Sequence, residues 1–136
     1  MMDLYAENIM DHYKNPRFKG SLSKKSVSVT QKEANHSCGD IMEIDLEIHD
    51  ENLKNIAWRG EGCAISQSAM SILLEEIKNL PVSEILKLKK EDTYKMLGVP
   101  ISARRSKCAT LSLLTLKNAI LKYQNKNLLH FVDILE

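Results

Sequence analysis

Three cysteines, Cys38, Cys63 and Cys108, and one aspartate, Asp40, are the residues of this 136-residue chain whose types and placement suggest chemistry. Cys38 lies in His36-Ser37-Cys38-Gly39-Asp40, Cys63 in Gly60-Glu61-Gly62-Cys63-Ala64, and Cys108 follows Arg104-Arg105-Ser106-Lys107. Thiolates are soft donors that suit zinc, or iron with bridging sulfide, in tetrahedral geometry. An odd number of cysteines spread along a chain fits a reducing compartment better than a disulfide framework. Asp40 is the odd member of the set, because its harder oxygen makes an iron site easier to empty than a fourth cysteine would. Gly39 and Gly62 allow unusual backbone dihedrals and free amide N–H groups to reach sulfur. Helix N-termini at Cys63 and Cys108, with Arg105 and Lys107 nearby, are expected to lower the thiol pKa values. The gaps between the cysteines match no short zinc-finger pattern, so the residues alone leave a metal site and small buried hydrophobes equally open.

The elements that must position these residues follow from periodicity. Leu4, Tyr5, Ile9, His12 and Tyr13 share one side of a short helix over residues 3 to 13, with Asp3 as cap or first-turn acid and Asn15-Pro16 as its end. From Val27 onward the period is two. Met42, Ile44, Leu46 and Ile48 alternate with Glu43, Asp45, Glu47 and His49, which reads as a strand with one wet face. Asp50-Glu51-Asn52 supplies a turn and Leu53 to Trp58 the next strand, so residues 26 to 59 form a three-stranded antiparallel meander. The period then changes, with Ile65, Ala69, Ile72, Leu73 and Ile77 on a helix that stops at Leu80-Pro81. Short helices from Ser83-Glu84 and from Glu91 to Leu97 precede Gly98-Val99-Pro100. Ala109, Leu113, Leu116, Ile120 and Tyr123 define a longer amphipathic helix. Gln124 to Asn127 sets off a last segment, Leu128 to Leu135.

Strands first and helices afterwards specify an α+β fold, a single domain over residues 1–136 with helices packed on one face of a small sheet. The cysteines fall at element boundaries that such a fold can bring to one end. The 19 basic against 18 acidic residues leave a net charge of +1, which argues against nucleic acid as a partner. No apolar run suggests a membrane span and no secretory leader precedes the first helix, so a cytoplasmic protein is expected. Trp58 and the apolar helix stripes read as core. Lys24-Lys25 and Lys87 to Lys90 read as solvated faces, and His49 and His130 as surface or packing residues.

Leu4-Tyr5, Met10-Asp11-His12-Tyr13-Lys14-Asn15-Pro16-Arg17, Cys38-Gly39-Asp40, Gly60-Glu61-Gly62-Cys63-Ala64-Ile65-Ser66 and Arg105-Ser106-Lys107-Cys108-Ala109-Thr110-Leu111, in this order, resemble the U-type iron–sulfur cluster assembly scaffolds. That family comprises the IscU and SufU proteins and the N-terminal domain of NifU. The resemblance implies the same fold class, the SufE/NifU-like α+β domain with a three-stranded antiparallel sheet and helices packed on one face. It implies that Cys38, Asp40, Cys63 and Cys108 ligate zinc or a nascent [2Fe–2S] cluster, and that Cys108 or Cys63 accepts persulfide sulfur. The partners it implies are a pyridoxal-phosphate cysteine desulfurase, an electron donor such as a ferredoxin, and apo iron–sulfur proteins or carriers. Arg105, Lys107 and His12 are expected to contact a partner, and His36 and Ser37 lie near the site. Lys107 stands before the third cysteine, where Isc scaffolds carry His. Gly98-Val99-Pro100-Ile101-Ser102 occupies the place of their Leu-Pro-Pro-Val-Lys chaperone motif. Arg-x-Lys-Cys-Ala-Thr-Leu is similar to the SufU branch, whereas the gap between Cys63 and Cys108 is nearer the Isc length. Cluster scaffold and zinc-dependent sulfur acceptor therefore both remain open, as does a permanent zinc site in an interaction domain.

Overall fold

A computed structural model describes residues 4–136 of the chain. The cap expected at Asp3 lies outside the described residues. The first helix, α1, runs Leu4–Lys14, and three strands follow, β1 (Val29–Asn35), β2 (Asp40–His49) and β3 (Asn52–Glu61). Helices α2 (Ala64–Ile77), α3 (Val82–Ile85), α4 (Lys90–Leu97), α5 (Ser106–Tyr123) and α6 (Phe131–Leu135) complete the fold, with a single 3₁₀ turn at Ala103–Arg105 leading into α5. The sheet is antiparallel in the order β1-β2-β3, as the alternation predicts. The β2–β3 hairpin closes through Asp50 (φ 50°) and Glu51 (φ 66°), whose paired positive φ values match the twist of the strands they join.

Met42, Ile44, Leu46 and Ile48 all face the core, packed with Trp58, Met70, Leu73, Leu74 and Ile77. Each such side chain contributes about 1.5–3 kcal/mol when fully buried. The opposite face of β2 is not the wet face expected. Asp45 is 4% and Glu47 is 7% exposed. The chain before β1 explains the first of these. Residues 18 and 20 hydrogen-bond to Trp58 along the β3 edge, Leu22 N–H donates to Asp45 Oδ2 at 3.1 Å, and Arg59 reaches the Gly20 carbonyl and the Ser21 hydroxyl. Arg59 grips Asp45 with two N–H groups at 2.9 and 3.1 Å and Glu43 with Nε at 2.9 Å, and Thr30 Oγ1 donates to Asp45 at 2.7 Å. Glu47 accepts from Asn55 at 2.8 Å and lies 2.9 Å from the His49 ring.

The long helix also departs from expectation. In place of an amphipathic stripe, every residue from Cys108 to Ile120 is buried, including Thr110, Ser112, Thr115, Lys117 and Asn118, while Tyr123 is 43% exposed. The cause is position, since α5 packs on β1 and β2 on one side and on α2, α4 and α6 on others. Three of these polar side chains, Thr110, Thr115 and Asn118, find partners nearby. The Thr110 and Thr115 hydroxyls donate to carbonyls one turn back, and Asn118 ties down the last segment by exchanging hydrogen bonds with the Leu129 backbone while donating to Glu33. None of the described helices is long and apolar enough to cross a membrane.

Burial alone would raise the Asp45 carboxyl. The hydrogen bonds from Arg59, Thr30 and the Leu22 N–H outweigh it and hold that carboxyl below the usual carboxylate range. A depressed folded-state pKa stabilises above the unfolded value of about 3.9 and ceases to do so as pH falls through the folded value. Asp45→Asn is expected to cost about 1–3 kcal/mol at pH 7, less than a fully buried pair because Arg59 is partly solvated. Urea melts of wild type and variant should begin to converge as pH falls below about 4 and meet only once it has passed through the lowered folded-state value.

Candidate metal centre

Cys38, Asp40, Cys63 and Cys108 line one cavity of about 330 Å3 at the end of the sheet, together with Gly62, Arg104 and Arg105. Each arrives from a different junction. Asn35 ends β1, and its carbonyl accepts from the N–H groups of Cys38 and Gly39, forming the turn that carries Cys38. Gly39 has φ +75°, a conformation that an L side chain rarely adopts, and it returns the chain into β2 at Asp40. Cys63 is the N-cap of α2, and Cys108 stands in the first turn of α5 just beyond the 3₁₀ turn.

One ligand atom from each of Cys38, Asp40 and Cys108 lies within 4.8 Å of the others. Bonds of about 2.0–2.3 Å in a tetrahedral site place ligand atoms roughly 3.3–3.8 Å apart, so modest rotamer adjustment would bring these three onto one ion. Cys63 borders the same cavity without belonging to that close group. Its sulfur lies 3.8 Å from the Ser66 hydroxyl. The thiols grade from exposed at Cys38 through half-buried at Cys63 to buried at Cys108, on the cavity floor.

Asp40 is 1% exposed and gripped from two sides. Its Oδ1 accepts from the Cys63 N–H at 3.1 Å and the Ser66 hydroxyl at 3.3 Å, and its Oδ2 from Asn35 Nδ2 at 3.3 Å. The amide N–H at Cys63 therefore serves the carboxylate rather than sulfur. Gly62 has a steric reason to lack a side chain, because a Cβ there would fall 2.4 Å from Asp40 Oδ1 and 2.5 Å from Ser66 Oγ.

The thiol environments differ from the uniform lowering expected. At Cys63 burial opposes ionisation, but hydrogen bonds from the Ser66 N–H and hydroxyl and from the Ile65 N–H outweigh it, and the pKa is lowered. At Cys108 burial raises the pKa first, and Asp40, Cys63 and Cys38 push the same way. A buried thiol ringed by acidic groups resists ionising without a cation. Three soft sulfurs and one carboxylate around a common cavity supply the charge and the donors that zinc or iron would satisfy, so the site fits either.

The partner residues named from sequence are dispersed. Arg105 is exposed on the cavity rim beside Arg104. Lys107 is exposed, with Nζ 5.5 Å from the centre of the Phe131 ring. His36 and Ser37 are exposed and stand outside the close ligand group. His12, expected to meet a partner, is 2% exposed, its Nδ1 2.7 Å from Ser71 Oγ and its Nε2 3.6 Å from Glu75. Burial first, then Arg17, lowers the His12 pKa against the pull of Glu75 and Asp11. Arg17 in turn pairs with Asp11 at 2.7 Å and Glu75 at 3.3 Å, so the Asp11-His12 to Arg17 stretch fastens α1 to α2. Two residues of the site escaped the sequence reading as participants, Asn35 and Ser66. Their only signal was position, Asn35 three residues before Cys38 and Ser66 three after Cys63.

An α+β domain with a Cys3Asp pocket at one end of its sheet presents a donor set suited to a thiophilic metal or cluster. The chain matches the NifU-like N terminal domain family over residues 4–130 and belongs to it, which places it among the U-type iron–sulfur cluster assembly scaffolds. It is similar to the iron-sulfur cluster assembly enzyme IscU of Drosophila melanogaster, 35% identical over 90% of this chain and 80% of that one. It is also similar to the zinc-dependent sulfurtransferase SufU of Bacillus subtilis, 30% identical over 91% of this chain and 94% of that one. A solved structure of a scaffold protein for the SUF system from Fervidobacterium islandicum superposes with a TM-score of 0.74 at 25% identity, covering 85% of this chain and 96% of that one.

Gly62→Ala is expected to displace the Asp40 carboxylate, with about 1–3 kcal/mol lost in urea melts and about tenfold weaker zinc binding in a chelator competition. Unchanged zinc affinity would show that Asp40 is not held in place by this approach.

Proposed function

We propose that this protein accepts sulfur from a cysteine desulfurase, assembles a labile [2Fe–2S] cluster as cargo on Cys38, Asp40, Cys63 and Cys108, and passes it to apo-proteins. The observation that carries the reading is the convergence of these residues on one open cavity, with Asp40 among the close ligand group. Sulfur acceptance is exchange. A thiolate of Cys63 or Cys108 attacks the outer sulfur of the desulfurase persulfide, a new S–S bond forms, the old one breaks, and the desulfurase thiolate leaves. Reducing that sulfane sulfur to sulfide takes two electrons, which a ferredoxin-like donor supplies. The oxygen of Asp40 keeps the cargo releasable, since a hard donor binds iron of a cluster less firmly than thiolate does. Arg104 and Arg105 on the rim offer guanidinium groups to acidic side chains of a docking partner.

The similarity to a zinc-dependent sulfurtransferase, together with Arg105-x-Lys107-Cys108-Ala109-Thr110-Leu111, supports a second reading. In it, zinc on the same residues orders the loops and a ligand thiolate receives the sulfur. The metal that supports function separates the two.

Anaerobic reconstitution with iron, cysteine and a desulfurase, run on metal-free and zinc-loaded protein, is the direct test. The scaffold reading expects a [2Fe–2S] visible spectrum lost in Cys38→Ser, Cys63→Ser and Cys108→Ser, and transfer to apo-ferredoxin. Retained zinc, no cluster and desulfurase turnover raised only by the zinc form would establish the sulfur acceptor instead. Retained zinc with no effect on desulfurase would leave a structural site. Asp40→Ala is expected to lengthen the lifetime of the reconstituted cluster, followed by its visible absorbance, and a shorter lifetime would contradict the role given to Asp40.

A further inference from the structure

Asn35 is 2% exposed at the end of β1, directly opposite Asp40 in the β1–β2 register. Its Nδ2 donates to Asp40 Oδ2 at 3.3 Å and lies within hydrogen-bond reach of Cys108 Sγ at 3.8 Å. One amide therefore touches two ligands that belong to different elements, β2 and α5. The other end of the same amide, Oδ1, is buried without a hydrogen-bond partner. An orphaned buried acceptor costs about 1–3 kcal/mol. Packing alone gives no reason to bury an amide there, since an apolar side chain of the same shape would avoid that cost.

The Asp40 carboxylate shows what the amide accomplishes. Its Oδ1 is engaged from the α2 side by Cys63 N–H and Ser66. Asn35 donates to Oδ2 from the β1 side. With both oxygens held from opposite sides, the carboxylate cannot turn about its Cβ–Cγ bond. The amide also bridges from Asp40 to the Cys108 sulfur. The main-chain role of Asn35 is separable, because its carbonyl accepts from Cys38 and Gly39 whatever the side chain.

We propose that Asn35 is a positioning residue of the metal centre, its amide holding Asp40 and Cys108 in the orientation in which they share one ion. The inference rests on the metal-holding reading of the site. Hydrogen-bond partners behind metal ligands typically account for about 10–100-fold in metal affinity.

The test uses the full chain, with zinc affinity from chelator competition and the absorption spectrum of the cobalt(II) form. Asn35→Leu, of similar volume and without polar atoms, and Asn35→Asp, isosteric and without the N–H donors when ionised, are compared with wild type. The expected result is zinc binding weakened about tenfold or more, with shifted sulfur-to-cobalt charge-transfer and ligand-field bands, while metal-free circular dichroism stays as in wild type. If Asn35→Leu does not fold, Asn35→Asp decides. Affinity within about twofold of wild type with an unshifted cobalt spectrum would overturn the inference and leave the metal site standing. Weaker binding with a wild-type cobalt spectrum would also overturn it, by showing that Asn35 acts on the fold alone. Wild-type protein that binds neither ion would overturn the metal reading and this inference together.

Discussion

The Asp40 carboxylate is the point on which the functional end of the molecule depends. It opens β2, and with its two oxygens it receives the N-cap amide of α2, the first-turn hydroxyl of that helix and the side-chain amide that closes β1. The first amides of a helix have no partner within it, and the Cys63 N–H at the start of α2 finds one in this carboxylate. The same group stands in the close ligand cluster with Cys38 and Cys108. Structure and chemistry thus draw on one side chain. A substitution at Asp40 touches helix capping and the ligand set together, and any account of such a variant has to separate the two.

Behind this end, α5 acts as the axle. A helix buried on all sides from Cys108 to Ile120 cannot shift without disturbing the sheet and the helices packed around it, and Cys108 rides on its first turn. Cys38 sits on a turn that depends on Gly39 at positive φ, and Cys63 on the bend between β3 and α2. One ligand is mounted on a rigid member and two on short junctions. That division suits the releasable cluster proposed for this end of the fold.

Much of the fold was legible because it rests on local periodicity. The alternation of Met42 to Ile48 and the helical spacing of Ile65 to Ile77 specify the sheet and α2 directly, and breakers at Asn15-Pro16, Leu80-Pro81 and Gly98 mark the ends. What escaped was set by tertiary neighbours. Nothing in the alternation says that residues 18 to 22 will cover Asp45, or that α5 will be surrounded and bury Lys117 and Asn118. The four site residues were visible as an ordered set of motifs. Asn35 and Ser66 were not, because a buried amide and a buried hydroxyl carry no periodic signal and acquire meaning only from what lies 3 to 4 Å away. The burial of His12 was not legible for the same reason, since the Ser71 whose hydroxyl meets its ring lies 59 residues along the chain.

The grading of the cysteines from exposed Cys38 to buried Cys108 bears on how the site ages. Peroxide and other oxidants reach thiols in order of exposure and thiolate character, and the first step, to sulfenic acid, is reversible when a neighbouring thiol can capture it. The rim thiol meets them first, with two further sulfurs bordering the same cavity. Early oxidative damage therefore falls on the two junction thiols, Cys38 by its exposure and Cys63 by its lowered pKa, and the sulfur anchored in the core is spared longest.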